Sequence, residues 1–481
     1  MRLMYRLLTS TAVLASTLVL GGCPEDDDDI TGVTPPGDAE VNSDITADRT
    51  FHAETTYTLT GFVHVGDGVT LTIEPGTTIR AALGSALFIL PGGRIIADGR
   101  ADAPIVFTSD QPVGARRPGD WGGLILVGRG IINRGGVVEL EGTGTSSTNH
   151  VVRYDGGTNN ADNSGILRYV RVEFAGFGPA PNQELNSFTF AAVGSGTTID
   201  HVQSLAGLDD SFEWFGGAVD GRFLVSYESG DDHFDASEGY VGRNQHLIAL
   251  QSTFLDPRAG AGQASGDPQG FEVDNCGSAS GSGCGAGFDS EPLTVPLFAN
   301  FTIVGAGVHP FTSGNSGGIG MVLRRGAAGY YVNGIIARWP RAAISLRDAE
   351  TQTRFTAGDA VLRNVSVVEV GAVAGTNGPV FESGSGRFTI DASTNEIVAE
   401  APSTLAASVF AALPSTSTVP TTTTLDFSLA AGAAARSGGL TAFSGSIAAK
   451  GGSFASGTSY RGASDPAGTK WWEGWTSYAR N

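Results

Sequence analysis

The sequence is poor in charge and above all in positive charge. Only 16% of its 481 residues are charged, and 29 Lys and Arg stand against 49 Asp and Glu, which gives a formal net charge of −20. A surface of this kind repels a phosphate backbone and argues against nucleic acid as a partner. A disordered chain is equally disfavoured, because 41% of the residues are hydrophobic and can supply a core.

Cysteine is also scarce, with three in the whole chain. Cys276 and Cys284 flank a short Gly/Ser loop that is flexible enough for the two sulfurs to meet. We therefore expect a local disulfide and an oxidising compartment. Zinc is disfavoured, because no second Cys or His pair lies nearby.

A long apolar run occurs only at the N-terminus. Arg2 and Arg6 precede apolar residues 7–20, a stretch too short for a stable membrane helix. We interpret residues 1–22 as a signal peptide. The following Leu20-Gly-Gly-Cys23 resembles a bacterial lipobox, which implies cleavage before Cys23 and acylation of its thiol, for example with palmitate. The alternative is an ordinary secretory signal with a chance cysteine.

An acidic run, Pro24-Glu-Asp-Asp-Asp-Asp29, follows this cysteine. Like charges repel one another and stay solvated, so residues 23–49 are predicted to form a flexible tether. An acidic run in this position also resembles surface-export signals of some bacterial lipoproteins. We expect a lipoprotein of the outer membrane that faces the cell surface, or alternatively the periplasm.

Repeated motifs dominate the chain beyond residue 50. The segment 209–213, Asp-Asp-Ser-Phe-Glu, returns 22 residues later as Asp-Asp-His-Phe-Asp at 231–235, and a Phe-acid pair recurs at 271–272. An offset near 22 suits one coil of a parallel β-helix, in which like residues stack in ladders. We therefore predict that Phe212, Phe234 and Phe271 form an internal aromatic row.

A second repeat begins with asparagine, at Asn300, Asn333 and Asn364. In a β-helix these side chains are expected to hydrogen-bond to each other and to turn backbone groups. A propeller or a sandwich is the competing architecture, but it needs antiparallel hairpins with regularly spaced Asn-Gly or Asp-Gly turns. The prediction is an all-β fold, with a parallel β-helix over residues 50–401 and an irregular region with a cap over residues 402–481.

Several segments resemble a known family. Leu71–Ile79, Ala103–Ser109 and Gly119–Gly123 are similar to the opening coils of right-handed parallel β-helix, pectin-lyase-like bacterial surface proteins. Residues 163–176 and 209–217 resemble a largely uncharacterised lipoprotein subgroup of them. The resemblance implies a right-handed solenoid and says little about activity, because that fold hosts lyases, hydrolases, adhesins and inert stalks.

Acidic residues would lie on neighbouring coils if the repeat offset holds. Stacked carboxylates repel one another unless a cation or protons intervene, and hard oxygen ligands on a rigid face suit Ca²⁺. The alternatives are a solvated face or catalytic carboxylates. The candidate calcium ligands are Asp209, Asp210, Glu213, Asp231, Asp232 and Asp235, and Glu272 and Asp274 extend the row.

An enzymatic interpretation starts from Ile199-Asp-His201 and the acids that follow it. This segment resembles pectate lyases, and the resemblance implies Ca²⁺ ligands at Asp209, Asp210, Asp231 and Asp232 and an arginine as the base. The nearest match for that base is Arg338-Trp-Pro-Arg341, which is contracted and lies far downstream. Paired acids such as Glu213 and Asp235 would instead suit glycoside hydrolysis. His233 is expected to be a surface or turn residue.

Three of the six tryptophans, Trp471, Trp472 and Trp475, lie close together near the C-terminus. They would form a cap over the last coil or, alternatively, a sugar-stacking patch. We expect a non-catalytic structural or binding protein, adhesin-like, whose ligand is a polysaccharide or another envelope component. A calcium-dependent polysaccharide lyase or glycoside hydrolase is the alternative.

Overall fold

The computed structural model describes residues 37–147, 149–266, 268–277, 283–307, 318–371, 379–401, 403–413 and 425–478. The predicted signal peptide, Cys23 and the acidic run lie outside the described residues. Within them, no helix combines the length and the apolar character needed to cross a membrane.

Short strands follow one another along the chain. The first are β1 (Asp38–Val41), β2 (Arg49–Phe51), β3 (Thr56–Leu59), β4 (Phe62–Val65), β5 (Thr70–Ile73), β6 (Thr78–Ala81), β7 (Ala86–Ile89), β8 (Arg94–Asp98), β9 (Ile105–Ser109) and β10 (Leu124–Val127). They continue as β11 (Val138–Glu139), β12 (Arg153–Tyr154), β13 (Gly165–Glu173), β14 (Phe188–Ala191), β15 (Thr198–Gly207), β16 (Phe212–Phe215), β17 (Asp220–Ser229), β18 (Phe234–Ser237), β19 (Arg243–Leu250) and β20 (Phe271–Asp274).

The remaining elements include three short α-helices. The strands are β21 (Leu297–Val304), β22 (Met321–Arg324), β23 (Gly329–Val332), β24 (Ile335–Ala337), β25 (Ile344–Leu346), β26 (Ala360–Arg363), β27 (Val365–Val368), β28 (Ile397–Ala399), β29 (Phe410–Ala412) and β30 (Asp426–Leu429). The helices are α1 (Ala349–Ala357), α2 (Ala406–Val409) and α3 (Gly445–Gly451), and 3₁₀ turns occur at Gly287–Asp289 and Ala434–Arg436.

Most strands stack in parallel as successive coils of a solenoid. Sheet B contains β4, β7, β10, β14, β16, β18, β20, β22 and β25 in that spatial order, and sheet A contains the parallel strands of the other faces. Antiparallel pairs occur between β11 and β12 and between β29 and β30. The predicted all-β, right-handed parallel β-helix is confirmed.

A row of phenylalanine rings fills the interior behind sheet B. Phe188, Phe212, Phe234 and Phe271 stack with ring centroids 5.1, 5.5 and 5.3 Å apart, as predicted for the last three. Each ring is fully buried. Burial of one such side chain contributes about 1.5–3 kcal/mol, so the row stabilises the coils that carry the acidic repeats.

The asparagine repeat marks a corner of the coil. Asn300, Asn333 and Asn364 have φ angles of 53°, 56° and 54°, a left-handed conformation that asparagine tolerates better than most residues. The prediction that their side chains bond to each other is wrong. The Nδ2 group of Asn333 donates to the carbonyl of Leu440, and that of Asn364 donates to the carbonyl of Gly438.

These partners belong to a segment that runs along the outside of sheet A, which we call the C-terminal strap (residues 425–478). Trp472 and Trp475 are buried in one hydrophobic cluster with outward residues of sheet A, among them Val225 and Val304. The prediction that the tryptophans cover the last coil is therefore wrong. Several coils of sheet A are apolar on their outer face, and the strap removes that face from water.

The β-helix begins inside the segment predicted to be a tether. Strand β1 pairs with β3, and Ile45 is buried and bridges to Val65. The acids here contact the next coil: Asp44 accepts the backbone N–H of His64, and Asp48 accepts that of Thr70. This stretch is polar because its side chains hydrogen-bond to the exposed edge of the solenoid, and only in part because they are solvated. The predicted disulfide between Cys276 and Cys284 is present.

Candidate functional site

The acidic repeats occupy the turns that lead from sheet A into sheet B. Asp209 and Asp210 lie between β15 and β16, and Asp231 and Asp232 lie between β17 and β18. Because β16 and β18 pair in parallel, the two turns stack on neighbouring coils. The offset of 22 residues in the sequence therefore corresponds to one coil.

A second set of acids lies on the outer face of sheet B. Glu213 pairs with Asp235, and Asp235 pairs with Glu272, in the register of β16, β18 and β20. Side chains alternate along each strand, so the phenylalanine of each Phe-acid pair enters the core and the acid faces outward. Neighbouring strands are about 4.8 Å apart, which keeps the three carboxylates in one row.

The turn acids and the sheet acids line a single cavity, which we call the acidic cleft. Its volume is about 390 Å³. The cleft is lined by Glu141, Asn182, Glu184, Asp209, Asp210, Glu213, Asp231, Asp232, Asp235, Ser265, Gln269, Glu272, Arg324 and Arg347. All six predicted calcium ligands are thus brought together, and Glu272 joins them.

The carboxylates are close enough to share an ion. Three groups each have oxygen atoms that lie within 4.8 Å of one another. The groups are Asp209, Asp210 and Asp231; Asp210, Glu213 and Asp235; and Asp232, Asp235 and Glu272. Shared members make the three groups continuous along the coils. Oxygen ligands in this number suit a hard divalent cation such as Ca²⁺.

Some of these side chains also hold the coils in register. The Oδ1 atom of Asp210 accepts the backbone N–H of Asp232 at 2.8 Å, and Oδ1 of Asp232 accepts that of Gln269 at 2.7 Å. Asn186 and Gln269 continue the same pattern on the coils at either end. By contrast, Oδ1 of Asp235 is buried and has no hydrogen-bond partner among the described residues.

Burial and mutual repulsion favour the protonated carboxyl groups. Burial raises the pKa of Asp210 and Asp232 well above the usual range, and neighbouring carboxylates raise it further. The same causes raise the pKa of Asp209 and Glu213. Burial also raises the pKa of Asp235 to about 7. Because so many carboxyl groups are buried close together, the cleft is stable only if they are protonated or if they bind a cation.

Two arginines close one end of the cleft. Arg324 forms ion pairs with Glu272 and Asp274, and Arg347 lies one coil further along, since Leu323 pairs with Leu346. Burial lowers the pKa of Arg324, and the neighbouring Arg325 lowers it further. Asp274 also pairs with Arg325 and does not line the cleft.

Several predicted residues lie elsewhere. Arg338 and Arg341 do not line the cleft, and Arg341 pairs with Glu382. Arg338 and Arg341 follow β24 and lie away from the acidic coils. The structure therefore does not place them where the arginine base of a pectate lyase would be needed.

His201 and His233, the two histidines considered from the sequence, do not line the acidic cleft. His201 lies on sheet A between the rings of Tyr169 and Phe223, at 4.4 and 4.3 Å, and does not line the cleft. His233 does lie in the turn between β17 and β18, as expected, but the expectation of a surface position is wrong. It is fully buried, where Nδ1 lies 2.5 Å from the hydroxyl of Ser226, and burial lowers its pKa to about 3.

Sequence reasoning missed four charged residues of the cleft. Glu141 and Glu184 come from long excursions between β10 and β14, and no repeat marks them. Arg324 and Arg347 each follow a leucine, and this repeated Leu-Arg pair is the sequence pattern that could have placed them on neighbouring coils. Burial, and after it the neighbouring Glu184, together raise the pKa of Glu141 to about 7.

Comparisons with known proteins agree with this architecture. Neither the curated proteins nor the solved structures yielded a match to the chain. The model of one family, described as a pectate-lyase-like beta-helix domain, matches residues 43–407. That range contains the acidic cleft and most of the coils described above, and the chain belongs to this family of pectate-lyase-like β-helix proteins.

Proposed function

We propose that this chain is a lipid-anchored surface protein of the outer membrane that binds Ca²⁺ in the acidic cleft and, through it, a polysaccharide. Its role is non-catalytic and adhesin-like. The observation that carries the proposal is the set of three overlapping carboxylate groups within one cavity. Another envelope component is the alternative ligand.

A cation explains why so many acids are gathered at one place. Stacked carboxylates about 5 Å apart repel one another, and the cost is relieved by protons or by a divalent ion. The parallel coils fix the oxygens on a rigid backbone, and the cavity volume of about 390 Å³ leaves room for ligands that complete the coordination. Bound Ca²⁺ would also present positive charge to sugar hydroxyl or carboxylate groups.

The lipid anchor rests on the sequence alone. Arg2, Arg6, the apolar residues 7–20 and Cys23 form the pattern of a lipoprotein signal. The test is incorporation of labelled palmitate, which we expect to be lost in Cys23→Ser. Protease treatment of intact cells distinguishes the surface from the periplasmic face, since a periplasmic protein is degraded only after the outer membrane is opened.

A calcium-dependent lyase or glycoside hydrolase is the second candidate. Arg324 favours the lyase, because it is an arginine that lines the acidic cleft beside the candidate Ca²⁺ ligands, and burial lowers its pKa. The paired carboxylates of Glu213 and Asp235 favour the hydrolase. Each activity would leave a chemical product, either an unsaturated uronate with an ultraviolet absorbance or a new reducing end.

Calorimetric titration of Ca²⁺ into the Cys23→Ser chain tests the proposal. We expect binding that is lost in Asp209→Asn/Asp231→Asn. The matched control is Asp67→Asn/Asp102→Asn, which makes the same charge change at side chains that are 73% and 81% exposed. Binding without product from acidic polysaccharides supports the non-catalytic role. Product formation supports the enzyme, and absence of Ca²⁺ binding refutes the metal site.

A further inference from the structure

Two further cavities adjoin the acidic cleft. One has a volume of about 330 Å³ and shares Glu141 with the cleft; we call it the aromatic pocket. The other has a volume of about 630 Å³ and shares Asn182 and Glu184 with the cleft. Both volumes are typical of ligand sites, at about 300–1,000 Å³. Cavities with common walls suit a chain of linked units better than a single small molecule.

Phe215 contributes to the apolar surface of the aromatic pocket, together with Val138, Leu140 and Tyr154. In β16 the side chains of Phe212 and Trp214 enter the core, whereas Phe215 is only partly buried and faces outward like Glu213. Residues two apart on a strand are separated by about 7 Å, so the ring lies one short step from the acidic cleft. The Tyr154 ring supports it, with centroids 6.2 Å apart.

The polar groups of the aromatic pocket compensate one another. Arg134 donates to Oε1 of Glu238 at 2.6 Å, and the hydroxyl of Tyr154 donates to Oε2 at 2.8 Å. Glu139 at the rim pairs with Arg153. A carboxylated sugar here would meet the acidic side chains of Glu141 and Glu238 without a surplus of positive charge. Hydroxyl groups can exchange hydrogen bonds with the same side chains.

We infer that the aromatic pocket is a subsite for a neutral pyranose unit whose neighbour in the same glycan lies in the acidic cleft. An aromatic ring offers its face to the C–H side of a sugar, and a few polar groups fix its orientation. The inference rests on the proposed polysaccharide binding and specifies the ligand class. The glycan carries uncharged units and is not a polyuronate.

Calorimetry with defined hexasaccharides tests this subsite. The probes are cellohexaose, mannohexaose and xylohexaose as neutral chains and hexagalacturonate as the charged chain, each with Ca²⁺ and with EDTA. We expect a neutral chain to bind more tightly than hexagalacturonate. Phe215→Leu keeps an apolar side chain without the flat ring, and we expect it to weaken this binding about tenfold, whereas Phe215→Trp retains it.

The controls separate the subsite from the metal site. Phe254→Leu changes an exposed phenylalanine that lines none of the three cavities and is expected to have no effect. Phe215→Leu should bind Ca²⁺ like the wild type. Tighter binding of hexagalacturonate, equal affinity of Phe215→Leu, or no binding of any neutral chain would overturn the inference. If the wild type does not bind Ca²⁺, the metal site is refuted. The subsite is then tested by the titrations in EDTA, in which tighter binding of a neutral chain would support it and no binding would refute it.

Discussion

Asp210 and Asp232 each have two roles: they hydrogen-bond to the next coil and they line the acidic cleft. The first role does not need a negative charge, whereas binding of a cation in the cleft does. Each accepts a backbone N–H from the next coil, which an amide could do equally well. Each also lines the cleft, where burial and neighbouring acids raise its pKa. A purely structural ladder would be satisfied by Asn and Gln, as Asn186 and Gln269 show at its two ends. The presence of acids at positions 210 and 232 therefore indicates that a negative charge is needed at these two positions.

This distinction predicts different outcomes for two substitutions of Asp232. Asp232→Asn keeps the acceptor for Gln269 and removes an acid whose raised pKa makes the metal-free fold less stable at high pH, so we expect the metal-free chain to gain about 1 kcal/mol of unfolding free energy at pH 8. Asp232→Ala leaves the N–H of Gln269 unsatisfied and should lose about 1–3 kcal/mol. Urea unfolding in EDTA measures both, with the exposed Asp102→Asn as the control.

The Ca²⁺ affinity of these variants provides the second measurement. Both should bind more weakly than the wild type, because a carboxylate is lost from the group formed with Asp235 and Glu272. Equal unfolding free energies for Asp232→Asn and Asp232→Ala would show that the hydrogen bond to Gln269 contributes nothing, and unchanged affinity would exclude Asp232 as a ligand.

The C-terminal strap shows how an element outside the repeats completes the solenoid. Its backbone and side chains meet the corner residues of successive coils, including Asn333, Asn364 and His246. Trp475 lies against the rings of Tyr169 and His201, each at 5.7 Å. The strap therefore covers the corners of the coils and contacts aromatic and amide groups that would otherwise be exposed to water.

Substitution of Trp475 tests this role of the strap. The side chain is 1% exposed, so Trp475→Ala should cost about 3–5 kcal/mol of unfolding free energy through lost packing and a cavity. Trp475→Phe should cost less, since it keeps an aromatic ring against His201. Denaturant unfolding measures the loss, and Ca²⁺ affinity should stay at the wild-type value. A loss of Ca²⁺ binding by a folded Trp475→Phe would contradict separate roles for the strap and the cleft.

At the scale of the whole molecule, the sequence predicted those features that repeat with the coil. The Phe-acid pairs gave the register of β16, β18 and β20 and the six candidate ligands, because one coil is a constant offset. Features that occur once were not predictable in this way. Glu141 and Glu184 reach the cleft from irregular excursions, and the strap docks on sheet A through contacts between residues far apart in sequence.

The gathered carboxylates also predict how the stability of the whole chain depends on pH. Burial raises the pKa of Glu141 and Asp235 to about 7, above the ordinary values of 4.5 and 3.8. The folded state then holds protons that the unfolded state has released. Without metal, the free energy of unfolding should therefore fall as pH rises from about 4 to about 7, by about 1.4 kcal/mol for each pH unit that separates the folded pKa of a group from its unfolded pKa.

Calcium should reverse this dependence, since it replaces the protons. We expect Ca²⁺ affinity to rise over the same pH range and saturating Ca²⁺ to raise the midpoint of thermal unfolding most at about pH 8. Thermal unfolding at about pH 5 and 8, in EDTA and in Ca²⁺, measures both effects. The Asp209→Asn/Asp231→Asn variant should show a shallower pH dependence than Asp67→Asn/Asp102→Asn. Stability in EDTA that increases from pH 5 to 8 would mean that the acids are stabilised as carboxylates without a cation.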